Sequence, residues 1–151
     1  MTTAEQQRVQ SEIDIVAFAE NGDHVLVGEV KKIHPQVRPW TQPVLHKLAE
    51  DAQELNARFM MTVDLDQIRI FAAEDREFHR ALFEASTPAV LGGYCKQVDW
   101  ESMHPQYLEL LVQSWLLDVA LGRDRPTPEI ERRTQIGLAQ ELRFGEVVSR
   151  N

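Results

Sequence analysis

The dipeptide Asn21-Gly22 constrains this chain more than any other feature. It is the strongest short-range signal for a β-hairpin, because both residues tolerate the positive φ that a tight primed turn demands. On either side lie runs rich in β-branched residues, Glu12-Ile13-Asp14-Ile15-Val16-Ala17-Phe18 and Val25-Leu26-Val27-Gly28-Glu29-Val30-Lys31. With Asn21 and Gly22 alone in the loop, Glu20 lies opposite Asp23, Asp14 opposite Glu29 and Glu12 opposite Lys31. Side chains two apart on a strand share a face. Carboxylates from Glu12, Asp14 and Glu29 then converge with the Lys31 ammonium on a single patch. A three-residue loop would reverse that parity.

Like charges directly across a ladder destabilise it by a few tenths to about 1 kcal/mol when solvated, and by more when buried. Both runs are nearly continuous in apolar residues, the pattern of strands covered on both faces. Asp14 and Glu29, at their ends, therefore need a counter-charge. Lys31 alone cannot satisfy both. A hard divalent cation can, because Mg²⁺ accepts one or two carboxylates and keeps several waters. The plain alternative is a solvated hairpin face with a cross-strand ion pair worth about 0–1 kcal/mol.

Asp14, fourteen intervening residues and then Glu29-Val30-Lys31 at the end of an apolar strand resemble the PD-(D/E)xK nuclease superfamily. The match covers roughly residues 10 to 72, including the flanking Glu12-Ile13-Asp14-Ile15-Val16 and Leu26-Val27-Gly28-Glu29-Val30-Lys31-Lys32. Ile13 stands where that family often has proline. The resemblance implies a restriction-endonuclease-like α/β core and hydrolysis of DNA or RNA phosphodiesters. It places Mg²⁺ (or Mn²⁺) on Asp14, Glu29 and the Val30 carbonyl, with Lys31 positioning the attacking water. Glu12, Gln42 and His46 are possible supporting groups, and Lys32, Arg38 and Lys47 possible contacts to nucleic acid. The family core opens with a helix and a first strand. Only about ten residues precede the hairpin here, so the expectation is either a shortened helix carrying Glu5, or a core whose first part is missing or supplied by another chain. The open sheet edge this leaves invites pairing with a second copy, a homodimer.

A length of 151 residues suits one domain, read as a nuclease-like core over 1–72 and a helical extension over 73–151. No apolar run approaches the length needed to span a bilayer, and the N-terminus lacks the basic-then-apolar order of a signal peptide. The expected location is cytoplasmic. One cysteine, Cys95, excludes an internal disulfide framework and a cysteine-based zinc site. The net charge of −8 argues against strong nonspecific binding to nucleic acid. A local basic stretch (Lys31, Lys32, His34, Arg38, His46, Lys47 and Arg58) is interrupted by Glu50, Asp51 and Glu54.

Val44, Leu45, Leu48, Ala52 and Leu55 recur at helical spacing and predict a helix over 42–57, with Pro43 in its first turn. Phe59–Val63 and Gln67–Ala72 read as strands around Asp64-Leu65-Asp66. Short helices are expected over Glu77–Ala85 and Ala89–Gln97. A broad apolar stripe from Tyr107 to Ala120 predicts a long helix capped by Gly122. Pro126 or Pro128 opens a last helix reaching about Leu142, and Gly145–Val148 adds a short strand. Ser114-Trp115-Leu116 resembles a segment of some bacterial members of the superfamily, although Trp115 reads first as core. No glycine-rich phosphate loop, Gly-x-Ser-x-Gly elbow or Cys–His pairing is present. The competing function is a noncatalytic module that keeps the fold and binds protein through its acidic surface.

Overall fold

The computed structural model describes residues 13–95, 99–123 and 137–149. Glu12, Glu5, the expected first helix and the Pro126/Pro128 start of the last helix lie outside them. The described chain is an α/β fold built on a six-stranded mixed sheet in the order β5-β4-β3-β2-β1-β6. In chain order come β1 (Ile15–Phe18), β2 (His24–Val30), α1 (Gln42–Glu54), β3 (Phe59–Val63), β4 (Gln67–Ala72) and β5 (Phe83–Ser86). They are followed by α2 (Thr87–Leu91), a short 3₁₀ turn (Gly92–Tyr94), α3 (Pro105–Leu121), α4 (Leu138–Leu142) and β6 (Glu146–Ser149). Only β2 and β3 pair in parallel; the other neighbours are antiparallel. A parallel pair needs a crossover of a dozen or more residues, and α1 with its leading loop supplies it.

The turn differs from the expectation. Ala19 donates to Asp23 O at 2.8 Å and Gly22 donates to Ala19 O at 2.9 Å, so Glu20, Asn21 and Gly22 form a three-residue loop. Gly22 takes the positive φ, at 90°. Parity is nonetheless restored one step later. Phe18 pairs with His24 but Ala17 with Leu26, leaving Val25 as an extra residue, a β-bulge. Beyond it Val16 faces Val27 and Ile15 faces Gly28, the register that a two-residue loop would have produced.

Period-two alternation divides the core between the two faces of the sheet. On one face Val16, Val27, Met60 and Phe71 form a row across β1 to β4, covered by Leu48, Ala49, Ala52 and Leu55 of the α1 segment. On the other, Ile15, Leu26, Met61, Ile68, Ile70 and Phe83 pack against Leu108, Val112, Trp115 and Leu116 of α3. Trp115 is 1% exposed and stacks on Phe83 with ring centroids 6.1 Å apart, so it is a core residue. Pro105 stands in the first turn of α3, the His104 side chain accepts from Gln106 N–H, and Gly122 ends the helix with a left-handed φ of 69°.

The helical reading of the C-terminal half is corrected by one strand, β5, while the short strand expected over Gly145–Val148 is present as β6. Phe83-Glu84-Ala85-Ser86 alternates buried and exposed and pairs with β4, where a helix over Glu77–Ala85 was expected. The helix is stopped at its start: the Asp75 carboxylate accepts from the N–H groups of His79 and Arg80, and Phe78 takes a positive φ of 56°. β6 then pairs antiparallel with β1. The sheet edge expected to be open is covered by this chain itself, which removes the argument for a dimer through that edge. No helix among the described residues is long and apolar enough to cross a membrane.

A candidate acidic site at the carboxyl ends of the parallel strands

One residue pair further along, the apolar row gives way to a polar one. Glu29 pairs with Thr62, Thr62 with Arg69, and Arg69 with Glu84, all on the α1 face by alternation with Val27, Met60 and Phe71. Asp14 lies in a bend just before β1, beyond the β1–β2 ladder, and its neighbour Ile13 packs with Val16 on the α1 face, so strict alternation stops at Ile15. The row therefore reads Glu29–Thr62–Arg69–Glu84 and crosses the sheet at the carboxyl ends of β2 and β3, and Asp14 meets its Glu29 end through the Val30 N–H. Ligands in α/β sheets bind outside the carboxyl ends of parallel strands.

Burial makes the acidic end unusual. Asp14 is 2% exposed, and Glu29 only 9%. Lys31 donates its backbone N–H to Val63 O at 2.9 Å. Successive strand residues turn their backbone groups to opposite neighbours, so the N–H and C=O of Val30 both face the β1 side. There the Val30 N–H donates to Asp14 Oδ2 at 2.8 Å. The Lys31 ammonium lies 4.0 Å from Glu29 Oε2, with its side chain 43% exposed. Lys31 is thus the solvent-exposed neighbour of the buried Glu29.

Asp14, Glu29, Val30 and Lys31 are brought together. The supporting candidates are not. Gln42 is exposed at the start of α1. His46 points outward and pairs with Glu50 at 2.9 Å, and Lys47 pairs with the buried Asp51 at 3.3 Å. Arg58 is tied to Glu141 at 2.9 Å. Lys32 is half-buried and Arg38 exposed; neither makes an ion pair among the described residues. The basic stretch is largely neutralised within the chain. Cys95 donates to Leu91 O, and burial pushes its thiol up from the ordinary range, the opposite of an activated nucleophile.

The donor set fits one kind of ion. Among the described residues no group of three or more His, Cys, Asp or Glu side chains gathers to hold a metal. Two carboxylates with the Val30 carbonyl remain. All three are oxygen donors, two of them carboxylates with several acceptor positions each. Such a set suits a hard ion that keeps several waters, as Mg²⁺ does, and suits zinc poorly.

Residues the sequence did not single out frame this site. Asp64, 2% exposed, accepts from Trp40 Nε1 at 3.0 Å and from the N–H groups of Asp66 and Gln67, both at 2.8 Å. Its carbonyl accepts from Thr87 Oγ1 at 2.7 Å. The loop from Lys31 to Thr41 is thereby fastened to the β3–β4 turn. Arg69 interacts with Glu84 at 3.4 Å and donates to Gln67 Oε1. Only the pairing register locates Thr62 and Arg69 beside the acids, and nothing local in the sequence prints that register. No family model, curated protein or solved structure matches this chain.

Proposed function

We propose that the protein is a metal-dependent phosphodiesterase of nucleic acid, a nuclease of the PD-(D/E)xK kind. The observation carrying this reading is the burial of Asp14 and Glu29 beside one another in the chain fold, Asp14 bonded to the Val30 N–H that follows Glu29, with the part-exposed Lys31 against Glu29. The order of an antiparallel hairpin, a crossover helix and a strand parallel to the second hairpin strand supports it. Asp14 and Glu29, with the Val30 carbonyl, would hold Mg²⁺ or Mn²⁺. The chemistry such an ion would supply is Lewis acidity toward a phosphoryl oxygen and a more acidic bound water near neutral pH. Lys31 is a compact cation with three donors; it orients that water and neutralises charge developing on the phosphate. The Val30 N–H holds the Asp14 carboxylate at its angle, and the buried strands around it limit bulk water.

Titration calorimetry with Mn²⁺ on the wild type and on Asp14→Asn tests the ligands. Binding that the variant abolishes supports the reading; no heat at millimolar metal with the wild type rejects it. Cleavage of single- and double-stranded DNA and RNA, with Lys31→Ala as control, tests the chemistry. We expect that variant to fall by at least about 10²-fold, the usual reach of one positioned group.

One observation favours a second reading. The Val30 N–H to Asp14 bond is also a strand-end lock, which a noncatalytic protein-binding module with a net charge of −8 could retain for structure alone. In that case Asp14→Asn lowers thermal stability while metal has no effect on the wild type.

A further inference from the structure

Two acidic groups from separate parts of the fold meet on one imidazole. His34, on the loop between β2 and α1, places Nδ1 2.8 Å from Asp66 Oδ1 on the β3–β4 turn. Its Nε2 lies 2.5 Å from Glu101 Oε1, on the segment leading into α3. These two carboxylates are the charged groups that act on it. An ionised carboxylate only accepts, and a neutral imidazole carries a single N–H. Both contacts are therefore satisfied together only by the imidazolium.

The surroundings of the two arms differ. Ile33 O accepts from Leu65 N–H at 3.0 Å, and Asp66 N–H donates to Asp64 Oδ1 at 2.8 Å, so the Asp66 side is tied into the β3–β4 turn. The Glu101 side chain is 69% exposed on a flexible stem, against 40% for Asp66.

We propose that protonated His34 is a latch joining the β2–α1 loop to the segment that enters α3, and that loss of the proton releases the Glu101 arm while the Asp66 arm holds. After deprotonation one N–H remains. Kept on Nδ1, it still donates to Asp66. Nε2 then turns a lone pair toward the Glu101 carboxylate, and the two repel. Glu101 swings into water. The loop begins at Lys31, the solvent-exposed neighbour of Glu29, so opening the latch changes access there. That consequence rests on the function proposed above; the latch itself does not.

The geometry agrees with the electrostatics: the hydrogen bonds to Glu101 and then Asp66 hold the His34 pKa above its ordinary value. Nuclear magnetic resonance titration of the His34 ring in the full chain tests the latch, with Glu101→Gln and Asp66→Asn as variants. Both substituted side chains are well exposed, and circular dichroism checks that the fold survives. The expected result is a wild-type midpoint above that of an unperturbed histidine, lowered in each variant. Amide exchange at Glu101 and Ser102, corrected for its intrinsic pH dependence, should speed up through the same midpoint while Leu65 stays protected. A midpoint at or below the unperturbed value, or one unchanged by Glu101→Gln, would overturn the proposal. Mn²⁺ calorimetry on Glu101→Gln separates the two ideas. Failure of metal binding in both this variant and the wild type rejects the proposed function and leaves the latch standing on its titration.

Discussion

Asp64 fixes a loop with one buried carboxylate, accepting from Asp66, Gln67 and Trp40 at once. Asp64→Ala leaves those donors without an acceptor, at about 1–3 kcal/mol for a buried unsatisfied group. We expect a loss of about 2–4 kcal/mol in denaturant unfolding, with Asp64→Asn between it and the wild type. His34 gives a pH dependence of stated sign. Its pKa is raised in the folded chain, so its contribution to stability is full below the unfolded value near 6.5 and disappears as pH climbs through the folded value. Melting temperature measured across that window should fall in the wild type and be flatter in Glu101→Gln. The closeness of Asp14 to the Glu29-Val30-Lys31 unit was legible beforehand from the hairpin, although the β1–β2 ladder itself ends at Ile15 and Gly28. Asp64 was not, since its partner Trp40 lies 24 positions away and only the tertiary fold brings them together.

Among the elements, β6 meets its limit at Gly145. A Cβ there would lie 1.8 Å from Phe18 O, on backbone that cannot move aside. Gly145→Ala should cost at least about 3 kcal/mol and strip exchange protection from the β1–β6 pairing. Gly28 is the contrast. Its Cβ would meet the flexible end of Met61 at 2.9 Å, so Gly28→Ala should cost about 1 kcal/mol. The hairpin shows why parity can survive a wrong loop length: Val25 bulges and returns β2 to the register the site needs. A bulge has no sequence signature in a run of β-branched residues. Phe83-Glu84-Ala85-Ser86 was similarly hidden, since four alternating residues after a polar stretch fit the end of a helix as well as a strand. The longer periodic segments, α1 and α3, were legible because burial of one face repeats over several turns.

At the scale of the whole molecule, the basic stretch after β2 offers few cations to a polyanion. His34, His46, Lys47 and Arg58 are paired with acids, leaving Lys32, Arg38 and Lys31, the last held only loosely by its 4.0 Å contact with Glu29. If three phosphates are neutralised, the logarithm of affinity for duplex DNA should fall with that of salt concentration with a slope of about −3. A slope near −7 would mean that the intramolecular pairs open on binding. The sheet itself is completed by β6, so its acidic end is built within one chain. Diffraction from crystals soaked in Mn²⁺ tests the central claim most directly. We predict an anomalous peak touching carboxylate oxygens of both Asp14 and Glu29, beside the Val30 carbonyl. Absence of a peak there at saturating Mn²⁺, or oxygens too far apart to share one ion, would contradict it.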